Sequence, residues 1–185
     1  MLLAIDAGNT NTKFALFKGE DLKALWRCET NSWRTADEYY VWLSQLMKTQ
    51  GIDSDQISGS IISCVVPDAM ESLPSLCSNN LNVPPIIVGN SGVNLGIKIL
   101  VDRPDRVGAD RLANAVGVGG HYKGPLIVID FGTATTFDVI DGDGNYHGGA
   151  IAPGINLSLE ALLTRAAMLH HIEINPTKRV IGKEI

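Results

Sequence analysis

Apolar and polar positions follow the same order in two distant parts of the chain. Residues 2–12 and 126–136 align without a gap, and in each an apolar run ends in Asp-x-Gly. In both copies a second apolar run and a turn rich in glycine and acidic residues follow. Strand, polar turn, strand, turn and strand are therefore predicted twice. The alternative is a chance likeness between two β-hairpins, because apolar-Asp-x-Gly is a common way to end a strand.

Between the copies, the periodicity alternates between helix and strand. Thr35 and Glu38 have the spacing of a capping box and predict the start of a helix. Its apolar positions recur at helical intervals, at Ala36, Tyr39, Tyr40, Leu43, Leu46 and Met47. Residues 59–66 and 85–88 are rich in β-branched side chains and predict strands of a mixed sheet.

Two further helices are predicted before the second copy. Residues 68–77 form one that Pro74 interrupts or shortens. Residues 106–116 form the other, and its apolar face consists of Ala109, Leu112, Ala113 and Val116. The glycines that then mark a hinge are Gly117, Gly119, Gly120 and Gly124.

The duplication predicts an α/β fold of two similar lobes, residues 1–117 and 118–185, with a ligand cleft where the two Asp-x-Gly turns converge. After its strands the second lobe has one convincing helix, from residue 156 to about residue 168. We therefore expect this lobe to be incomplete. Either the chain is a fragment or a partner completes it.

Charge and composition exclude several classes of function. The net charge is −5 and no run of like charge occurs, so no nucleic-acid footprint is expected. The apolar stretches fall far short of the roughly 18 residues that a membrane span needs. Residues 1–5 lack a basic flank and predict a buried strand rather than a secretory signal. Three cysteines without C-x-x-C spacing argue against disulfides and zinc, so a reducing cytoplasm is expected.

The first polar turn has the chemistry of a phosphate loop. Gly8 permits positive φ and close backbone approach, while amides, hydroxyls and an ammonium group supply donors. The candidate residues are Asp6, Ala7, Gly8, Asn9, Thr10, Asn11, Thr12 and Lys13. Because the Asp6 carboxylate would repel phosphate, a Mg²⁺ ion is expected between them. The alternative is an ordinary hairpin turn.

The second turn repeats this chemistry without a lysine. Asp130 is a second carboxylate, either for cations or for positioning a nucleophile, and hydroxyls follow from Thr133 onward. The glycine-rich residues 148–154 lead towards a helix and are either a nucleotide loop or a plain strand-to-helix loop.

Gly108, Ala109, Asp110 and Arg111 lie in the first turns of the helix before the hinge. The side chains of Asp110 and Arg111 are expected to leave the core. Asp110 would then accept a proton from a substrate hydroxyl, and Arg111 would bind an anionic group. An ordinary surface pair is the alternative.

Together these residues resemble the type III pantothenate kinases, enzymes of coenzyme A biosynthesis in the actin-like and sugar-kinase superfamily. The resemblance runs from Met1 into the tail. Its ordered motifs are Asp6-x-Gly8-Asn9-Thr10, Gly108-x-Asp110-Arg111, Asp130-x-Gly132-Thr133 and Gly148-Gly149-x-Ile151-x-Pro153-Gly154.

The resemblance implies a ribonuclease H-like fold and transfer of the γ-phosphoryl group of ATP to pantothenate. It implies that residues 6–13 and Thr133 contact ATP and that residues 108–111 bind pantothenate, with Asp110 as general base. It also implies that Asp130 binds a monovalent cation, K⁺ or NH₄⁺, and that the full-length enzyme is a homodimer.

The chain departs from the family pattern at two places. Val101 stands where the family often has tyrosine before Asp-x-Pro, so a substrate hydroxyl contact is expected to be lost. After residues 181–183 the family continues with Asn-Thr, whereas here Glu184 and Ile185 follow. Part of the dimer interface is therefore expected to be missing. The rival interpretations are a sugar or N-acetylhexosamine kinase and a non-catalytic accessory protein that activates transcription.

Overall fold

A computed structural model describes residues 1–166, 174–175, 179 and 181. It contains a five-stranded sheet in the order β3-β2-β1-β4-β5 and a three-stranded sheet in the order β6-β7-β8. The strands are β1 (Leu2–Ala7), β2 (Asn11–Lys18), β3 (Asp21–Glu29), β4 (Gly59–Cys64), β5 (Pro85–Ile87), β6 (Leu126–Phe131), β7 (Ala134–Ile140) and β8 (Tyr146–Pro153). The helices are α1 (Ala36–Thr49), α2 (Ala69–Ser75), α3 (Ala109–Gly119) and α4 (Ile155–Arg165).

The predicted duplication is confirmed at the level of strands. β1, β2 and β3 form an antiparallel meander, and β6, β7 and β8 form another. β4 and β5 extend the first sheet in parallel, which makes that sheet mixed as predicted. The fold is therefore mixed α/β.

The largest core lies between the first sheet and helices α1 and α2. Thr35 caps α1 through a complete capping box with Glu38. Tyr39, Leu43 and Met47 on α1 are buried against strand residues such as Phe14. This is the face that the helical spacing predicted.

Helix α2 ends one residue after Pro74 and continues as the π-helical turn Leu76–Asn80. The proline nitrogen cannot donate to the carbonyl four residues back, which accounts for the short α-helix. Pro74 therefore marks the predicted interruption of the α-helical hydrogen bonding, while the helical backbone runs on to Asn80.

Helix α3 connects the two sheets and corrects the prediction for 106–116. It begins after Gly108 and follows a separate 3-10 turn, Pro104–Arg106. Ala109 and Leu112 pack beside the first sheet, whereas Ala115 packs against Ile140 and Tyr146 of the second. Because α3 packs against both sheets, Ala115 is buried and Val116, predicted to be in the core, is 38% exposed.

Two predictions about glycines were wrong. Gly117 and Gly119 lie inside α3 and not in a hinge. Gly148 to Pro153 belong to strand β8 and not to a loop, since they pair with β7. The predicted final helix is α4, but its expected end at Met168 and the tail segment at 182–185 lie outside the described residues. In the described part of the chain, no helix is long and apolar enough to cross a bilayer.

Candidate active site

The first turn joins β1 to β2 and is closed by a hydrogen bond from Gly8 N to Asn11 O at 3.1 Å. Asp6 and Lys13 are cross-strand partners, and Lys13 Nζ lies 3.2 Å from Asp6 Oδ2. Both side chains are about half exposed, at 46% and 53%. A carboxylate and an ammonium group therefore stand at the accessible end of this hairpin.

Two expectations for this turn fail. Gly8 is not among the glycines with positive φ, and a Cβ at this position would meet Asn11 O at an ordinary contact distance of 3.5 Å. The Thr12 hydroxyl is fully buried and lies 2.9 Å from Thr30 Oγ1, so it serves the fold and does not face the turn. Alternation along β2 explains this, because Thr12 and Lys13 point to opposite faces of the sheet.

The second turn joins β6 to β7 and meets the first. Gly132 N donates to Ala134 O at 2.9 Å and closes the turn. Thr133 Oγ1 lies 2.7 Å from Thr10 Oγ1. The predicted convergence of the two Asp-x-Gly turns is therefore observed.

Gly154, which caps the N-terminus of α4, packs directly on the second turn. Its amide donates to Thr133 O at 3.0 Å. A Cβ at this position would collide with Gly132 O and Thr133 O. Beside this contact lies an open pocket of about 240 Å³, lined by Phe131, Gly132, Ile155, Asn156 and Ile174. The absence of a side chain at Gly154 thus lets α4 begin against the turn.

Asp110 lies in the first turn of α3, and its carboxylate folds back over the start of the helix. Arg111 N donates to Asp110 Oδ1 at 2.8 Å. A Cβ at Gly108 would collide with that oxygen, so glycine makes room for the carboxylate. Burial raises the pKa of Asp110, and the negative charges of Asp6 and Asp130 raise it further. The carboxylates of the three sequence motifs are therefore near enough to interact.

Asn114, one turn further along α3, ties the helix to the second turn. Its Nδ2 donates to Asp130 Oδ2 at 3.2 Å. Asn114 was not predicted as a site residue, although its position four residues after Asp110 places both on one side of the helix.

Arg111 corrects an expectation, because its side chain does not leave the core. It is 14% exposed and paired with the fully buried Asp138 of β7. Arg111 Nε donates to Asp138 Oδ1 at 2.7 Å, and the Tyr146 hydroxyl donates to the same oxygen at 2.8 Å. Sequence reasoning missed Asp138 and Tyr146. A charged residue at a position of β7 that alternates with exposed Phe137 and Val139 is the signal that could have found Asp138.

Among the residues that the structure describes, no group of three or more His, Cys, Asp or Glu side chains could hold a metal ion. Oxygen donors of the kind that hard cations prefer are nevertheless present at the second turn. Asp130 pairs in register with Thr136, and the buried Thr136 hydroxyl has no hydrogen-bond partner within the described ranges. Asp130 and Thr136 thus bring side-chain oxygens to paired positions of β6 and β7.

Val101 lies near strand β8. Its Cγ1 would be 3.2 Å from a Cβ placed on Gly148, whose φ is +95°. The position that the resemblance assigns to a substrate contact is thus apolar and packed against a glycine of the second sheet.

The chain matches the family model for type III pantothenate kinases over residues 2–185. It is 57% identical over 183 residues to a type III pantothenate kinase of Paramagnetospirillum magneticum. The aligned residues cover 99% of this chain and 70% of the relative. A type III pantothenate kinase of Rhodospirillum rubrum is 56% identical over 183 residues, with 99% of this chain and 71% of that protein covered.

Solved structures resemble the fold at much lower identity. A Campylobacter jejuni protein described as a Baf family transcriptional activator has a TM-score of 0.54 and 18% identity, covering 95% of this chain and 68% of that one. A Sinorhizobium meliloti protein described as a 2-dehydro-3-deoxygalactonokinase has a TM-score of 0.51 and 12% identity, and the match covers 91% of this chain and 58% of that protein. At these identities the similarities show a shared mixed α/β fold.

Proposed function

Because the chain belongs to the type III pantothenate kinase family, we propose that it transfers the γ-phosphoryl group of ATP to the hydroxyl of pantothenate, with Asp110 as general base. The product, 4′-phosphopantothenate, is an intermediate of coenzyme A biosynthesis. The enzyme class is that of a phosphotransferase with an alcohol acceptor.

The observation that carries this proposal is the electrostatic environment of Asp110. Its carboxylate is half-buried, and its pKa is raised by burial and by Asp6 and Asp130. A general base works best when its pKa lies closer to the operating pH than the ordinary value of about 3.9. The carboxylate orients the hydroxyl first and takes its proton late, because a loose transition state for phosphoryl transfer leaves little covalent work to the protein.

We assign ATP to the place where the two turns meet. The Thr10–Thr133 contact supports this, since it brings hydroxyl and amide donors from both sheets together. Lys13 adds a half-exposed ammonium group beside Asp6. Residues 6–11, Lys13 and Thr133 are therefore proposed to contact the phosphates, in a cleft between a lobe that holds the first sheet and a lobe that holds the second.

We assign cations to the two outer carboxylates. Asp6 would bind Mg²⁺ with the phosphates, and Asp130 with Thr136 would supply oxygens to K⁺ or NH₄⁺. Bound cations offset the repulsion between carboxylates and phosphate oxygens. The support is the carboxylate chemistry at both turns and the unpartnered Thr136 hydroxyl in the described part of the chain.

Residues 108–111 are proposed to bind pantothenate, because they surround the carboxylate that would receive the hydroxyl proton. A homodimer is proposed from the family resemblance, and a cytoplasmic location from the cysteine pattern.

The test is a phosphorylation assay with ATP and a panel of acceptors that contains pantothenate, N-acetylglucosamine and 2-dehydro-3-deoxygalactonate. We expect ADP formation with pantothenate alone. Turnover of a sugar without turnover of pantothenate would contradict the proposal. The assay is run with this chain and with the type III pantothenate kinase of Paramagnetospirillum magneticum as a positive control. A panel in which no acceptor reacts is thereby distinguished from a failed assay.

A further inference from the structure

A buried ion pair joins the substrate turn of α3 to the middle strand of the second sheet. Arg111 Nε and Nη2 lie 2.7 and 2.6 Å from Asp138 Oδ1, and the Tyr146 hydroxyl donates to the same oxygen at 2.8 Å. Asp138 is fully buried and Tyr146 is 1% exposed. We propose that Asp138 and Tyr146 are positioning residues that hold the Arg111 guanidinium, and with it the pantothenate-binding turn, in its working orientation. This inference rests on the proposed function.

The position of Asp138 makes it a rigid anchor. β7 is the central strand of its sheet, and Asp138 pairs with Val128 on one side and Gly149 on the other. A backbone hydrogen-bonded on both sides cannot shift without breaking two ladders. The Arg111 guanidinium, which is bound to this carboxylate, is therefore fixed relative to the whole sheet.

Tyr146 is equally well fixed. Its amide donates to Lys98 O at 2.9 Å, and its carbonyl accepts from Leu100 N at 2.7 Å. The Arg111 guanidinium carbon also lies 5.8 Å from the centre of the Tyr146 ring. The phenol therefore contacts the Arg111–Asp138 ion pair twice, through its hydroxyl on Asp138 and through its ring face near Arg111. Arg111, Asp138 and Tyr146 are called the clamp below.

Gly149 provides the space for the guanidinium. A Cβ at this position would collide with Phe137 O and lie 2.9 Å from Arg111 Nη2. Any side chain on this residue would displace either the strand or the arginine. The absence of a side chain at Gly149 thus leaves room for the Arg111 guanidinium, in addition to any role towards nucleotide.

The charges define what Arg111 can offer a ligand. The guanidinium and the Asp138 carboxylate neutralise each other, so recognition of an anionic substrate depends on directed N–H groups more than on net charge. Within the described residues, Arg111 Nη2 is buried without a well-directed hydrogen bond, although it lies close to Asp138 Oδ1. A ligand can approach only the 14% of the Arg111 side chain that stays exposed, and the direction of the guanidinium N–H groups depends on the contact with Asp138.

The experiment compares steady-state kinetics of Tyr146→Phe, Asp138→Asn and Arg111→Lys with those of the wild type. Tyr122→Phe and Asp143→Asn are matched controls, because both residues are exposed. Tyr146→Phe should raise the KM for pantothenate about tenfold, and Asp138→Asn about ten- to hundredfold, with the KM for ATP unchanged. Arg111→Lys should behave like Asp138→Asn, because an ammonium group lacks the planar fork. The controls should match the wild type.

Thermal unfolding of each variant separates positioning from simple stabilisation. Loss of activity that follows the folded fraction, with both KM values unchanged, would overturn the proposal. A rise in the KM for ATP alone would also overturn it. A wild type that does not phosphorylate pantothenate would contradict the proposed function instead. The clamp is then judged by NMR: slow solvent exchange of Arg111 Nε–H in the wild type, accelerated in Asp138→Asn, supports it, and equal exchange rates refute it.

Discussion

Thr10 Oγ1 and Thr133 Oγ1 lie 2.7 Å apart although 123 residues separate them along the chain. The contact joins the β1–β2 turn of one sheet to the β6–β7 turn of the other. The two sheets share no strand. Their relative position depends on this contact, on the packing of α3 between them, and on Ile99 and Val107, which pack against the apolar clusters on both sides.

The contact predicts an energetic coupling between the two threonines. Thr10→Val and Thr133→Val should each destabilise the fold slightly, and the double variant should lose less than their sum. The coupling should be about 0.5–1.5 kcal/mol in urea unfolding, near the lower end because the pair is exposed. The control is a double-mutant cycle that combines Thr133→Val with Thr49→Val, because the Thr49 hydroxyl donates locally to Leu46 O. Coupling as small as in this control would contradict the contact.

The raised pKa of Asp110 predicts a pH-dependent effect on stability. The native state keeps this proton to a higher pH than the unfolded state, whose pKa is about 3.9. Stability therefore falls as pH rises from the unfolded pKa through the folded pKa. Asp110→Asn removes this cost, so its Tm should exceed that of the wild type at pH 7 and the difference should vanish below about pH 4.

Thermal unfolding between pH 3 and pH 8 checks this expectation. Asp55→Asn, at an exposed 3-10 turn, is the control and should show no such pH-dependent gain. An Asp110→Asn variant whose Tm deficit grows with pH would mean that the ionised carboxylate stabilises the fold.

The cation assignment predicts that activity depends on a monovalent ion. Initial rate should rise with K⁺ or NH₄⁺ at fixed Mg²⁺ and constant ionic strength, and Na⁺ should substitute poorly. Asp130→Ala should remove this dependence together with most activity, because Asp130 is the carboxylate at the second turn. Asp55→Ala should keep the wild-type curve. A flat wild-type response to K⁺ would refute the assignment.

The close contact of Gly154 with the second turn predicts opposite effects for two glycine substitutions. Gly154→Ala should destabilise the fold by about 1–3 kcal/mol, because its methyl group would collide with Gly132 O and Thr133 O. Gly119→Ala lies in α3 with nothing within 4 Å of the new methyl group. It should stabilise by about 0.4–1 kcal/mol. Equal effects in chemical denaturation would show that Gly154 is not closely packed.

Repetition of apolar runs and turns was enough to predict both meanders, and the capping box predicted α1. The burial of α3 could not be predicted, because it packs on two sheets and its buried face follows both. An amphipathic spacing predicts one buried face, which suits a helix that packs on one sheet only. The spacing therefore predicted a buried Val116, whereas packing on two sheets buries Ala115.

At the site, the three motif carboxylates were found from local chemistry, since Asp-x-Gly turns and a helix start are visible in the sequence. The partner of Arg111 was not, because Asp138 is 27 residues away and its contact depends on how the sheet packs on α3. Thr12 was misjudged because its hydroxyl bonds to Thr30 across strands. The orientations of Arg111 and Thr12 are therefore set by hydrogen-bond partners that are distant in the sequence.

Phosphoryl transfer from ATP to pantothenate, with Asp110 as general base, is tested most directly by isotope-resolved mass spectrometry. Pantothenate is incubated with ATP whose γ-phosphoryl oxygens carry ¹⁸O, using the wild type and Asp110→Asn. The proposed reaction predicts labelled 4′-phosphopantothenate with the wild type. With Asp110→Asn its rate of formation should be roughly 10²–10⁴ times lower at unchanged ATP affinity, as general-base loss requires. Labelled product at the wild-type rate from Asp110→Asn, or labelled inorganic phosphate in place of phosphopantothenate, would contradict it.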